Sequence, residues 1–256
     1  MKTSYIVIAL LIAAPALAQA PGPQPYLAPG SFDILPALDN APLKGDARYA
    51  ADRKIFKATR KLVGTPRYEL ATRDVDTSVP AMMRDFSCAT NIVLTPVTAP
   101  KLALLLSRAG RDTRNSSVAG KDFFKRLRPF QIDKGPICQP AEELKGSFDY
   151  PSGHTTWGWT WGTLLAEILP DRATAIDARA RSYGDSRIIC GVHNASAVQS
   201  GQGTATTTLA AVHSSSEFQA DLGAAKAELT ALRASATSPD AAACAVEAGL
   251  VAQRAY

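Results

Sequence analysis

Residues 151–170 read Pro151-Ser152-Gly153-His154-Thr155-Thr156-Trp157-Gly158-Trp159-Thr160-Trp161-Gly162-Thr163-Leu164-Leu165-Ala166-Glu167-Ile168-Leu169-Pro170. Trp157, Trp161, Leu164, Leu165 and Ile168 recur at i, i+4, i+7, i+8 and i+11, the spacing of one apolar stripe on a helix. Pro170 cannot continue such a helix, and Asp171 can cap the next. At the other end, Ser152-Gly153 opens the helix and His154 sits in its first turn. The unpaired N–H groups there carry partial positive charge, which suits a bound phosphate. Gly153 lets the backbone approach a ligand closely, and Ser152 can add a hydrogen bond. Taken alone, the tetrapeptide is equally a helix cap beside an incidental histidine.

The pattern on both sides is helical too. Asp46 can cap a helix whose apolar residues Tyr49, Ile55, Phe56 and Leu62 precede a stop at Gly64. Thr65-Pro66 marks the next start, with proline at the first helical position. Further helices are expected around 99–109, 117–127, 154–169, 173–182 and 217–236. No run alternates with period two, and no internal repeat is visible. The reading is an all-α, single-domain helical bundle over 46–238. A Pro-rich extended arm (19–45) precedes it, and an Ala-rich tail (239–256), expected to be poorly ordered, follows.

The first eighteen residues have the form of a signal peptide. Lys2 gives the positive start, Ile6 to Ala18 is almost wholly apolar, and Ala16-Leu17-Ala18 is a small-residue cleavage pattern. This predicts a periplasmic or secreted protein beginning near Gln19. The apolar run is too short to span a bilayer, and no later segment is long and apolar enough, so no membrane association is expected. Loss of Lys2 lowers the formal net charge from +5 to +4. That mild, dispersed excess is compatible with small anionic substrates and gives no case for nucleic acid. An even number of cysteines, Cys88, Cys138, Cys190 and Cys244, favours two disulfides in an oxidising compartment. Three connectivities are open. Cys88–Cys138 is favoured because both flank the chemistry-bearing segment. No CxxC or Cys/His ligand spacing appears, which argues against zinc.

Two other segments carry chemistry. In Lys121-Asp-Phe-Phe-Lys-Arg-Leu-Arg128-Pro129 the first and last cations stand seven residues apart, about two helical turns. Both can face one side, Lys121 as a mobile point charge and Arg128 as a planar fork for phosphate oxygens. By itself such a helix is a solvated face or a general anion patch. The other is Ser186-Arg187, followed by His193, which adds a guanidinium and a second imidazole. A neutral imidazole can attack phosphorus directly, giving a phosphohistidine that water hydrolyses. The third histidine, His213, has no comparable company and reads as structural.

In order, Lys121…Arg128-Pro129, Pro151-Ser-Gly-His154 and Ser186-Arg187…His193 resemble the signature K-x6-RP, PSGH, SR-x5-H-x3-D. It belongs to the non-specific acid phosphatases of the phosphatidic-acid-phosphatase type 2 and vanadium haloperoxidase superfamily. Tyr26-Leu-Ala-Pro-Gly-Ser-Phe-Asp33, Asp85-Phe-Ser-Cys88 and Ile189-Cys-Gly-Val-His193 are similar to the secreted class A members, so the likeness covers most of the mature chain. The resemblance implies a helical fold of that type and a metal-independent, cofactor-free acid phosphatase. Its partners would be phosphate monoesters and inorganic phosphate; because relatives often self-associate, a homo-oligomer is one open alternative for its oligomeric state. It implies that Lys121, Arg128, Ser152, Gly153 and Arg187 hold the phosphate, His193 attacks it and His154 protonates the departing alcohol. Those roles demand opposite protonation of two neighbouring imidazoles and an optimum on the acid side.

The chain departs from the signature at one point. Four residues after His193, where the pattern has Asp, stands Ala197. That Asp accepts a hydrogen bond from the far nitrogen of the nucleophile, and a methyl group cannot. Either a carboxylate from elsewhere or an oxygen of Asn194, Ser196 or the backbone must replace it. Otherwise the chain is a catalytically impaired phosphate-binding protein. A vanadium-dependent haloperoxidase shares the motif set but is usually much longer. Asp74-Val-Asp76-Thr77 resembles the start of an aspartyl-phosphate loop, lacks its preceding apolar strand, and reads as a helix-flanking turn.

Overall fold

The computed structural model describes residues 22–235 and 237–256, and the expected leader at 1–18 lies outside them. The tryptophan-rich stretch forms helix α6 (Gly153–Ile168), with Trp161, Leu164, Leu165 and Ile168 buried. Around it pack α4 (Pro100–Phe124), α7 (Ala173–Ile189), α8 (Ala195–Val212) and α9 (Ser216–Ser235). The layer α1 (Ala47–Thr59), α2 (Pro66–Arg73) and α3 (Val79–Thr90) covers α7, and α5 (Pro129–Ile132) is a single turn after α4. No strand occurs among the described residues, so the all-α expectation holds. Trp161, stacked on Phe86 at 6.0 Å, lies in the main apolar cluster with Leu102, Leu105, Leu106, Tyr183 and Phe218.

Where the sequence suggests two helices, near 99–109 and 117–127, there is one. Helix α4 runs unbroken through Gly110-Arg-Asp-Thr-Arg-Asn-Ser116, which reads as polar loop because its tertiary partners are invisible in the chain. Asp112 accepts the backbone N–H groups of Tyr26 and Leu27 at 2.8 and 3.0 Å, tying down the arm. Thr160 donates to Thr113 at 3.0 Å and Thr208 to Ser116 at 2.9 Å. Gly110 has no room for a side chain, since a Cβ would fall 1.7 Å from the Trp157 ring.

Two further expectations are corrected. The disulfides join Cys88 to Cys244 and Cys138 to Cys190, so Cys88–Cys138 is not formed. Flanking a segment in sequence does not bring two cysteines together; the turn of α7 that ends at Cys190 does. The Ala-rich tail is also ordered. It forms α10 (Ala241–Ala252), capped by Asp240, whose carboxylate accepts the Ala243 N–H at 2.7 Å. Cys244 bolts it to α3, and Glu247 lies 3.8 Å from Arg179. Replacing both Cys88 and Cys244 by serine is expected to lower stability by about 2–5 kcal/mol, because the closed loop is long. Calorimetry should register that loss while phosphate affinity stays at the wild-type value, since the bond lies in a different layer from the cradle below.

Candidate active site

The N-terminus of α6 sits at the floor of a cavity of about 670 Å³. Lys121, Arg128, Gly153, His154 and His193 line it together with Ser117, Gln139, Ser147 and Trp157. Groups 72 residues apart in sequence, Lys121 and His193, thus share one wall. Ser152 and Arg187 are wholly buried directly behind that wall rather than lining it.

Each cation is placed by a specific local feature. Lys121 occupies the last turn of α4, which closes at Lys125 in the left-handed region (φ 47) as its N–H bonds the Lys121 carbonyl. Its ammonium donates to the Phe148 carbonyl. Burial and the neighbouring Arg128 push the Lys121 amine down to about 7. Arg128 is the residue before α5, and four contacts hold its guanidinium. It donates to Ser147 O and Val192 O at 2.8 Å, to Ser147 Oγ at 3.0 Å, and meets His193 Nε2 at 3.0 Å. Arg187, near the end of α7, gives one N–H to Gln139 Oε1, while its Nε and Nη1 find no protein acceptor among the described residues. Leaving two such donors buried and unpaired costs about 1–3 kcal/mol each, which an oxyanion in the cradle would recover.

Ser152 is the N-cap of α6, and its hydroxyl accepts from the Thr155 N–H at 3.4 Å and the Thr155 hydroxyl at 2.9 Å. A Cβ on Gly153 would stand 3.4 Å from Ser117 Oγ and 3.7 Å from Lys121 Cε, inside the cradle itself. The Ser117 hydroxyl is buried and unpartnered in the same place.

The two imidazoles are held differently. His154 Nε2 lies 3.0 Å from the Val75 carbonyl. A carbonyl only accepts, so Nε2 carries a proton and Nδ1 is left to gain or release one. Burial first, then Arg187, depress the His154 pKa well below the ordinary range. His193 is 2% exposed, with Nε2 toward Arg128 and Nδ1 3.0 Å from Asp149 Oδ1. A guanidinium only donates, so Nε2 holds the lone pair and Nδ1–H donates to Asp149. Burial, then Arg128 and Lys121, keep His193 neutral to well below the ordinary range. His213 lies apart, bonded to the Leu209 carbonyl at 2.7 Å and Glu167 at 3.0 Å.

Several contributors escape sequence reasoning. The turn at Asp74–Thr77 has a positioning job: Asp74 pairs with Arg179 at 2.6 Å and accepts from Ser186 Oγ at 2.6 Å. That fixes the Val75 carbonyl against His154 and the Thr77 carbonyl against Trp157 Nε1. Ser186 of the motif therefore anchors α7 and does not face the cavity. Gln139 reaches Arg187 because the Cys138–Cys190 disulfide and a 3.1 Å backbone bond from Cys138 to Cys190 clamp its loop to the end of α7. The one available signal for Asp149 was an extra carboxylate two residues before Pro151.

The PAP2 superfamily model matches residues 100–219, the stretch containing Lys121, Arg128, Ser152, Gly153, His154, Arg187 and His193. The acid phosphatase of Zymomonas mobilis is 38% identical over 217 residues, 84% of this chain and 82% of its own. The non-specific acid phosphatase of Providencia stuartii is 32% identical over 75% of this chain and 79% of its own. For that of Salmonella typhimurium the values are 30%, 87% and 90%. Among solved structures, the transmembrane PAP2-type phosphatidylglycerolphosphate phosphatase of Bacillus subtilis superposes with a TM-score of 0.51 at 18% identity. The match covers 67% of this chain and 87% of that one, a likeness of fold. No described helix here is long and apolar enough to cross a membrane.

Proposed function

The chain belongs to the acid phosphatases of the PAP2 superfamily, and from that premise we propose that it hydrolyses phosphate monoesters through a phosphohistidine on His193, without a metal, outside the cytoplasm. In the first step the lone pair of His193 Nε2 forms a bond to phosphorus, the ester P–O bond breaks, and His154 gives its proton to the departing alkoxide. In the second, water attacks the phosphorus while His154 takes up its proton, the P–N bond breaks, and inorganic phosphate leaves. The equatorial oxygens would lie among Lys121, Arg128, Arg187 and the N–H groups at Ser152–Gly153. Three cations and a helix N-terminus supply the charge stabilisation that a metal gives in other phosphatases.

The observation that carries this reading is the pairing of His193 with Arg128. A donor-only group on Nε2 leaves that nitrogen unprotonated and facing a cavity lined with cations. When phosphate enters, the Arg128 N–H can turn to an oxygen and free the lone pair. The export reading is part of the same proposal, supported by a leader-like segment at 1–18 and by two disulfides.

A pH–rate profile on an aryl phosphate with EDTA present tests the reading. Phosphate release should persist in EDTA and be greatest on the acid side. Purified protein that releases no phosphate from any monoester at acid or neutral pH would defeat it and leave a phosphate-binding protein. The alkaline limb has a named cause. Lys121 binds an oxyanion as the ammonium, and its amine is pushed down to about 7, so the charge is present below that pH and lost as pH rises through it. Affinity for inorganic phosphate should weaken over that window. Lys121→Arg, which stays charged, should flatten the limb relative to wild type. An inhibition constant for phosphate with the same pH dependence in both proteins would refute the assignment.

A further inference from the structure

Four residues after His193 stands Ala197, wholly buried on the first turn of α8. Its methyl group packs with Tyr150 and Ala41, and its carbonyl accepts the Ser152 N–H at 3.0 Å. Nothing at that position can hold an imidazole N–H. The oxygens of the neighbouring residues do not fill the gap either. Ser196 gives its hydroxyl to Asp52 at 2.5 Å, and Asn194 Oδ1 is buried with no hydrogen-bond partner among the described residues, so it does not meet the His193 N–H. What does meet His193 Nδ1 is the carboxylate of Asp149, at 3.0 Å, arriving from the loop that precedes α6.

We propose that Asp149 is the positioning residue of the nucleophile, and that positions 149 and 197 are alternative seats for one carboxylate, filled here at 149. The inference rests on the reading of His193 as the nucleophile.

The surroundings of Asp149 are built for this task. Oδ1 accepts from His193 Nδ1 and from the Asn194 N–H at 3.1 Å, and Oδ2 accepts from Asn194 Nδ2. Every neighbour within reach is a donor, as an ionised acceptor needs. Arg126 places Nη1 3.5 Å from Oδ2 while its Nη2 pairs with Asp52 of α1 at 2.7 Å. Ser196 closes the ring, receiving Arg126 Nη1 at 2.7 Å and offering its N–H to Asp52 Oδ1 at 2.9 Å. Burial pushes the Asp149 carboxyl up, and Arg126 and the two donors of Asn194 oppose that push. The carboxylate is thus carried on a rigid network anchored in a separate helix, which fixes the ring plane as well as the tautomer. As phosphorus bonds to Nε2, the imidazole becomes positive and the same carboxylate lies against the developing charge.

Steady-state kinetics on an aryl phosphate test this with Asp149→Asn, Asp149→Ala and the double variant Asp149→Ala/Ala197→Asp. Asp149→Asn is isosteric and keeps the packing, yet its amide can present an N–H to Nδ1 and reverse the tautomer. It should lower kcat by about 10²–10⁴-fold with little change in KM. Adding Ala197→Asp to Asp149→Ala should recover at least roughly tenfold of the loss, which a merely structural role for residue 149 would not allow. The His193 Nδ1–H proton resonance, present in the wild type, should vanish in Asp149→Asn whatever the activity. Asp149→Asn with wild-type kcat overturns the positioning role. An impaired Asp149→Asn with no gain from Ala197→Asp overturns the shared-seat inference. His193→Ala retaining activity would instead overturn the underlying reading of the site, an outcome distinct from both.

Discussion

Replacing His193 with alanine is expected to lower kcat by a factor on the order of 10⁴–10⁶ for every phosphate monoester, with inorganic phosphate still bound. The size follows from what the ring does. In the proposed mechanism its Nε2 is the attacking atom, so its removal leaves only attack by water in a cradle arranged for a nucleophile on the protein. The cradle itself should survive. Lys121, Arg187 and the Ser152–Gly153 backbone are positioned by α4, α7 and α6 and do not depend on the ring. Phosphate should therefore raise the melting temperatures of His193→Ala and of the wild type alike. Rapid quenching of the wild type with labelled substrate should trap acid-labile, base-stable label on one peptide containing His193. Label that appears on another residue, or a variant with wild-type turnover, would remove His193 from the reaction.

The reach of the sequence toward this site has a physical pattern. Lys121, Arg128, Ser152, Gly153, His154, Arg187 and His193 are visible because their chemistry is local to short segments of fixed spacing. Helix α6 is visible because its buried residues repeat with the helical period. Helix α8 is hidden for the opposite reason. Its Ser-, Gly- and Thr-rich start replaces a bulky stripe with small residues so that it can lie close to α6. A Cβ at Gly201 would come within 2.7 Å of the Ser152 carbonyl. Helix α4 looks divided because its middle pairs polar groups with α6, α8 and the arm. Asp149 and the disulfide partners belong to a third kind, set by contacts across 44 to 156 residues of chain. Such contacts leave no spacing to read.

The same division accounts for the cost of assembling the site. Bringing Lys121, Arg128 and Arg187 together in a buried place is unfavourable in the empty protein: burial first, then Arg128, lower Lys121 to about 7, while burial, opposed by Asp149, lowers Arg128 to about 10. Asp149 meets the back of His193 and Asp52 meets Arg126, and neither lines the cavity; the carboxylate that does, Glu143, accepts from Gln139 Nε2 at 3.4 Å. A dianionic phosphate then meets a field already organised for it, with little reorganisation left to the transition state.

His154 leads to the second large effect, and its signature is a dependence on the leaving group. Burial and Arg187 hold the empty-site imidazole neutral, yet the proposed reaction needs it to deliver a proton. The bound phosphate resolves the conflict. Its negative charge offsets Arg187 and Arg128, raises the His154 pKa, and couples proton uptake to substrate binding. Affinity for productive substrate should accordingly rise as pH falls. In His154→Asn no proton can be delivered, so alkyl phosphates, whose alkoxides are strongly basic, should lose about 10²–10⁴-fold in kcat. A nitrophenyl ester leaves without that proton, and its first step should be almost unaffected. The second step still lacks the base that activates water, so the variant should release one equivalent of nitrophenol in a burst and stall as the phosphoenzyme. Stopped-flow absorbance reads the burst directly. Equal losses for alkyl and nitrophenyl esters, with no burst, would place the proton transfer on another group. Because Nε2 of His154 is tied to the Val75 carbonyl, lengthening the Asp74–Thr77 turn by one residue should reproduce a weaker form of the same leaving-group dependence, which separates loss of the imidazole from loss of its aim.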